Sequence, residues 1–122
     1  MISGVTLGAR DRRRAATFHD ALPAQIAARQ SMAFDRGNAR GPSADKPSLG
    51  VLRSGNCRPA SVGNGVMVEP SVATRDAVDR QYRKALELGA ADEAPAGPRA
   101  PDFFAAHFRD LDGETLNRFF AG

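Results

Sequence analysis

Apolar and polar positions along the chain fall into two halves that read alike. Ile2 to Leu7 alternates Ile2, Gly4 and Thr6 with Ser3, Val5 and Leu7, a period of two that predicts a strand. Asp11 is then placed to cap a helix over about 12–22, in which Ala15, Phe18, Ala21 and Leu22 recur at spacings of three and four and Pro23 opposes continuation. Ile26 to Phe34 predicts a further strand and Arg36-Gly37-Asn38 a turn. Ala39 to Gly41 reads as a short strand, Pro42 to Asp45 as a loop, and Leu49 to Arg53 as a strand ending at Ser54-Gly55-Asn56.

The second half follows the same order. Val62 to Glu69 predicts a strand that Pro70 stops. Thr74 caps a helix over about 75–88, with Asp76 and Asp79 in its early turns, Val78, Tyr82, Ala85 and Leu86 as its buried stripe, and Gly89 as the residue that ends it. Ala90 to Arg99 is rich in Pro and Gly and reads as a ragged strand. Phe103 to Arg109 and Glu114 to Phe120 pair as a hairpin through Asp110-Leu111-Asp112-Gly113. Placing Phe18 over Tyr82, Ala21 over Ala85 and Leu22 over Leu86 gives a constant offset of 64 residues. The expected fold is therefore α+β: one domain over 1–122 made of two βαβββ modules, about 1–56 and about 61–122. Their mixed sheet would carry the helices on its outer face and leave the opposite face as a cleft.

Composition narrows the function. With 42% hydrophobic and 25% charged residues the chain is too apolar to be disordered. Its net charge of +3 comes from arginines scattered from Arg10 to Arg118, a weak footprint for nucleic acid, and Arg12, Arg13 and Arg14 lack the interleaved aromatic residues that stack bases. Those three read as a solvated face. Cys57 stands alone, so no intrachain disulfide is expected and a reducing compartment fits. The apolar stretch of Met1 to Gly8 is too short for a signal peptide or a membrane span, which points to a cytoplasmic chain.

Three segments carry a resemblance. Ile2-Ser3-Gly4-Val5-Thr6-Leu7-Gly8 with Asp11 and Phe18, then Ser61-Val62-Gly63-Asn64-Gly65, then Phe108-Arg109-Asp110-Leu111-Asp112-Gly113 resemble, in that order, the vicinal oxygen chelate superfamily. That group holds glyoxalase I, extradiol dioxygenases, fosfomycin-modifying enzymes and bleomycin resistance proteins, and the chain looks most like its small bacterial glyoxalase-like members. The resemblance implies paired modules curled around a cleft, often completed by dimerisation, with divalent-metal ligands on the opening and closing strands. The family's first-strand His falls here on Gly4, its second-module His on Met67, and its last-strand Glu on Asn117. A remaining ligand is expected near Gly50 or Val51, yet Lys46 to Asn56 holds no His, Asp or Glu. No cofactor is therefore expected.

Other groups have to supply whatever chemistry the cleft retains. Thr6, Met67, Glu69, Thr115, Asn117 and Phe119 are the expected ligand-binding residues, since strand alternation sets Gly65, Met67 and Glu69 on one face and Thr115, Asn117 and Phe119 on another single face. Glu69 reads either as a general base or as an edge carboxylate satisfied by an arginine. His107, beside the turn, and His19, inside the first helix, read as hydrogen-bonding or surface groups. Cys57 lies beside Arg58 but has no histidine placed near it, and reads as an inert thiol. The leading expectation is a metal-free protein that binds a small molecule, with no membrane or nucleic-acid partner. The alternatives are a vicinal-oxygen-chelate enzyme of lyase or dioxygenase type with a divergent or metal-free site, and an interaction role with a vestigial cleft. A homodimer is expected as well, because a chain of 122 residues buries only about two thirds of its unfolded surface.

Overall fold

Each half of the chain builds one helix and one four-stranded sheet in the computed structural model, which describes residues 1–24 and 28–122. The halves are two compact units, Met1–Val62 and Gly63–Gly122.

In the first unit the order is β1 (Gly4–Gly8), α1 (Arg12–Ala24), β2 (Arg29–Phe34), β3 (Gly37–Gly41) and β4 (Ser48–Leu52), and the sheet runs β1-β4-β3-β2. β1 and β4 are parallel, whereas β3 is antiparallel to both β4 and β2. Asp11 caps α1 as expected, its Oδ1 accepting from the amides of Arg13 (3.0 Å) and Arg14 (3.1 Å). Ala15, Phe18, His19 and Leu22 are buried, a stripe at i, i+3, i+4 and i+7, and Ala15 packs with Ala9 and Val51. α1 runs one residue past Pro23, to Ala24, so Pro23 stands in its last turn and the helix ends directly after it. The strand expected from Ile26 begins at Arg29, and Ile26 itself lies outside the described residues. The turn is Asp35-Arg36, one residue earlier than expected, since Gly37 already pairs with Leu52 and Phe34. Its φ of 153° and the 2.9 Å that would separate a Cβ from Leu52 Cα leave no room for a side chain.

The second unit holds β5 (Met67–Val68), α2 (Arg75–Glu87), β6 (Ala91–Ala100), β7 (Phe103–Arg109) and β8 (Thr115–Ala121), in the sheet order β5-β8-β7-β6. Thr74 Oγ1 accepts from the Ala77 amide at 3.0 Å and starts α2. Gly89, at φ 101°, ends it: its amide donates to Leu86 and that of Ala90 to Ala85, each at 3.0 Å. The expected strand over 62–69 shrinks to Met67–Val68, because Asn64-Gly65 makes a turn with Gly65 at φ 87°. The ragged strand forms as a ten-residue β6 with three register shifts against β7. The hairpin forms too, and Asp110 Oδ1 closes it by accepting from Asp112 and Glu114, both at 2.9 Å.

The α2 stripe differs from expectation. Leu86 is only half-buried, while Ala77, Val78, Gln81, Tyr82 and Ala85 are buried. Tyr82 donates its hydroxyl to Asp92 Oδ1 at 2.8 Å, tying α2 to β6. The repeat therefore runs at 63 residues, not 64: α1 begins at Arg12 and α2 at Arg75, and buried Ala15, Phe18, His19 and Leu22 correspond to buried Val78, Gln81, Tyr82 and Ala85. Parallel pairing repeats likewise, Gly4 with Ser48 and Met67 with Thr115. Both modules are thus βαβββ, each helix covering one face of its own sheet.

Glu114 supplies a pH test. Burial, then Asp110, then Asp112 push its carboxyl above the usual 4.5, so the native state holds that proton more tightly than the unfolded chain. The ionised native form pays this penalty at neutral pH, and the penalty disappears as pH falls through the raised folded value towards 4.5. Glu114→Gln is expected to raise the urea midpoint at pH 7 and to lose that advantage near pH 4, measured by denaturation at both pH values.

Candidate functional site

Strand alternation leaves each sheet with a face turned away from its helix. On the first unit's sheet that face carries Thr6, Gly50, Ala39 and Met32 side by side across all four strands, by the registers of β1, β4, β3 and β2. Gly8, Leu52, Gly37 and Phe34 form the next row. Three of these eight are glycines, so the middle of the face is bare backbone, while Met32 and Phe34 stand 49% and 51% exposed at one side. The outcome is a recess of about 650 Å³ floored by Gly4, Gly50 and Ala39 and walled by Met32, Phe34 and Leu52. Asp35 and Arg36, from the β2–β3 turn, reach its rim, and Thr6 and Ser48 offer hydroxyls.

A second recess of about 540 Å³ adjoins the first and shares Thr6, Arg36 and Leu52 with it. Its lining is polar, with Arg53, Ser54, Asn56 and Ser61 around the loop after β4. Among the expected ligand-binding residues only Thr6 lies on these recesses.

The other five lie on the second unit's open face. Met67 pairs with Thr115, which pairs with Arg109; Phe119 pairs with Ala105 and bridges Ser71. The Phe119 ring stacks on Phe103 at 5.1 Å between centroids. Between these rows Asn117, fully buried, donates Nδ2 to Glu69 Oε1 at 2.8 Å, and its Oδ1 is buried with no hydrogen-bond partner among the described residues. His107, on β7, pairs directly with Asn117 on β8, so the sheet aligns carboxylate, amide and imidazole in one row. That neighbourhood is what sequence spacing alone did not provide for His107. Gly65 drops out of the face, being in a turn. Glu69, exposed, is held by an amide rather than by an arginine. His19 is buried against Phe18, ring centroids 5.0 Å apart, and Cys57 is exposed at φ 60°.

The donor chemistry at the ligand positions is poor for a divalent ion. Gly4 and Gly50 have no side chain, Met67 offers a thioether, and Asn117 has its amide nitrogen turned to Glu69. Among the described residues no three of His, Cys, Asp or Glu converge on one point. No described helix is long and apolar enough to cross a membrane.

No protein-family model and no curated sequence matches the chain. Solved structures do. A glyoxalase/bleomycin resistance protein from Albidiferax ferrireducens T118 superposes with a TM-score of 0.89 at 23% identity, covering 98% of this chain and 97% of that one. The chain has the glyoxalase/bleomycin resistance/dioxygenase fold. A glyoxalase-related enzyme from Fulvimarina pelagi gives a TM-score of 0.77 at 15% identity over 98% and 87% of the two chains. A glyoxalase/bleomycin resistance protein/dioxygenase family enzyme from Burkholderia phytofirmans PsJN gives 0.75 at 15% identity over 96% and 95%. The paired modules of this glyoxalase-like fold are thus those the sequence resemblance implied.

Asn117→Asp tests the amide's place on the second open face. The substitution keeps the shape but sets a carboxyl at a fully buried position against the exposed Glu69 carboxylate, and both burial and the neighbouring like charge oppose its ionisation. The variant is expected to lose about 2 kcal/mol of stability or more at pH 8 and to recover towards pH 4, read by urea denaturation.

Proposed function

We propose that this glyoxalase-like chain binds a small, largely apolar molecule in the recess of its first unit, without the divalent metal usual in the family. The observation that carries this reading is the floor of Gly4, Gly50 and Ala39 between Met32 and Phe34, which offers some 650 Å³ to a ligand that can lie close to the backbone. Apolar burial supplies affinity there, and the Thr6 and Ser48 hydroxyls supply orientation. Neighbours named as bleomycin resistance proteins share the fold, and that supports the reading. The metal-free part rests on donor chemistry, since about three suitable ligands are needed and the family's positions hold Gly4, Met67, Gly50 and Asn117.

An enzymatic reading has one observation in its favour. Glu69, Asn117 and His107 stand in one row, and a base beside an imidazole could move a proton. It is the weaker reading, because Asn117 is wholly buried and binds Glu69 instead of leaving it free.

Nile red, a neutral apolar dye, tests the recess. Its fluorescence is expected to rise on wild-type protein with saturation, and its dissociation constant to grow about tenfold in Gly50→Leu, which fills the floor, and in Phe34→Ala, which removes a wall. A Cβ at Gly50 comes within 3.3 Å of Thr6 Oγ1, 3.7 Å of Val5 O and 3.8 Å of Thr6 Cγ2, so the Thr6 side chain has to give slightly while the added bulk fills the recess, and a wild-type-like melting temperature is the control; Phe34 is exposed enough for its loss to leave the fold intact. No rise on wild type, or unchanged constants in both variants, overturns the proposal. Elemental analysis tests the metal: purified protein is expected to hold well under one equivalent of zinc, nickel, manganese or iron, with a melting temperature indifferent to EDTA. One equivalent, lost in Asn117→Ala or Glu69→Ala, would promote the enzymatic reading.

A further inference from the structure

We infer that the ligand is an amphipathic organic anion, its apolar body in the first recess and its carboxylate or phosphate held by Arg36 and Arg53 in the second. The inference rests on the binding reading above and adds the chemical class.

Its basis is how the chain brings two guanidinium-bearing residues to one edge of the apolar floor. Arg36 is the second residue of the β2–β3 turn, and Arg53 follows β4; the Arg53 amide donates to the Arg36 carbonyl at 2.7 Å, which fixes the two backbones side by side. The Arg36 side chain then folds back over the next loop, for a Cβ added at Gly55 would lie 2.8 Å from Arg36 Nη1.

Neither arginine has a carboxylate to neutralise it: among the described residues no ion pair or side-chain hydrogen bond engages the guanidinium of Arg36 or Arg53. This contrasts with Arg40 and Arg109 in the same chain, which pair with Asp20 and Glu93. Asp35 borders the apolar recess, and no carboxylate lines the second one. Two unneutralised cations over a lining of Ser54, Asn56 and Ser61 make a site for an oxyanion, to which guanidinium offers paired N–H donors. The shared residues Thr6, Arg36 and Leu52 join this site to the glycine floor, so one molecule can occupy both.

Displacement of Nile red by three naphthalene probes tests the assignment: 2-naphthoate, 2-naphthyl phosphate and the uncharged 2-naphthamide. At least one anion is expected to displace the dye at a concentration at least tenfold below that of the amide, and which anion does so identifies the head group. That advantage should shrink about tenfold in Arg36→Gln and in Arg53→Gln, and should fall as salt rises from 20 to about 500 mM, as an electrostatic contact requires. Equal displacement by the amide and both anions, or an advantage that survives in both variants, overturns the inference and leaves the apolar recess standing. Failure of Nile red itself to bind removes the underlying reading, and this one with it.

Discussion

Burial of one arginine against each helix fixes which face of each sheet is open. Arg118 is 1% exposed on β8, yet it meets no carboxylate among the described residues: Nε donates to Gln81 Oε1 on α2 at 3.1 Å, Nη1 donates to the Asn117 carbonyl at 2.9 Å, and the guanidinium lies 5.6 Å from the Phe108 ring centre. Burial lowers its pKa to about 10, so it stays protonated at neutral pH and every neutral acceptor around it matters. In the first unit Arg40 on β3 plays the same part, its Nε donating to Asp20 on α1 at 2.5 Å. There the partner is a carboxylate at the edge of water, Asp20 being 52% exposed. A charged group that draws one acceptor from a helix cannot tolerate a slipped strand, because a slip of one residue would turn it to the opposite face.

Positions next to these arginines inherit their orientation. Arg118 points to α2, so Asn117 and Phe119 point away, and the β5–β8 register then delivers Glu69 to Asn117. Parallel pairing makes Gly4 and Ser48 the counterparts of Met67 and Thr115, and two residues on, Thr6 and Gly50 the counterparts of Glu69 and Asn117. One lattice of positions therefore has two fillings. In the first unit the pair Thr6 and Gly50 is small and the face is hollow; in the second the pair Glu69 and Asn117 is polar and closed on itself.

Local signals made much of this legible. Thr74 with Asp76 at the start of α2, Gly89 at its end, and Asp110 to Gly113 between β7 and β8 each state their geometry within a few residues, and each forms as read. The offset of the repeat was off by one because aromatic Phe18 and Tyr82 invite superposition, whereas the true partners of Phe18 and Tyr82 are Gln81 and His19, polar groups whose burial no hydrophobic pattern announces. The strand before α2 was overlong because Val62, Val66 and Val68 suggest β structure while Gly63 and Gly65 break it. Strand alternation sets Glu69 and Asn117 each on a face of its own strand, but the bond between them spans 48 residues and needs a register that only the folded sheet supplies. Met32 and Phe34 were missed although their alternation opposite Gly37 and Ala39 was there to be read. Arg36 and Arg53 could not have been paired from sequence, since it is the β3–β4 pairing that brings the turn beside the end of β4.

The two fillings also decide what each face can do. A divalent ion pulls oxygen and nitrogen donors from several strands to one point, which demands long side chains where the strands run closest. Gly4 and Gly50 stand on adjacent strands where any Cβ already crowds a neighbour, 3.0 Å from Ser48 O and 3.3 Å from Thr6 Oγ1 respectively. Glycine at both positions leaves no donor there and leaves volume in its place. On the binding reading proposed above, a ligand would gain close contact with the floor, an attraction that is the same before and after any bond rearranges. Uniform attraction of this kind lowers the energy of a bound molecule without favouring its transition state, which is why the proposal is one of binding. On the second face the groups that could discriminate, Glu69 and the Asn117 amide nitrogen, already satisfy each other, and a reactant would have to break that bond before using either.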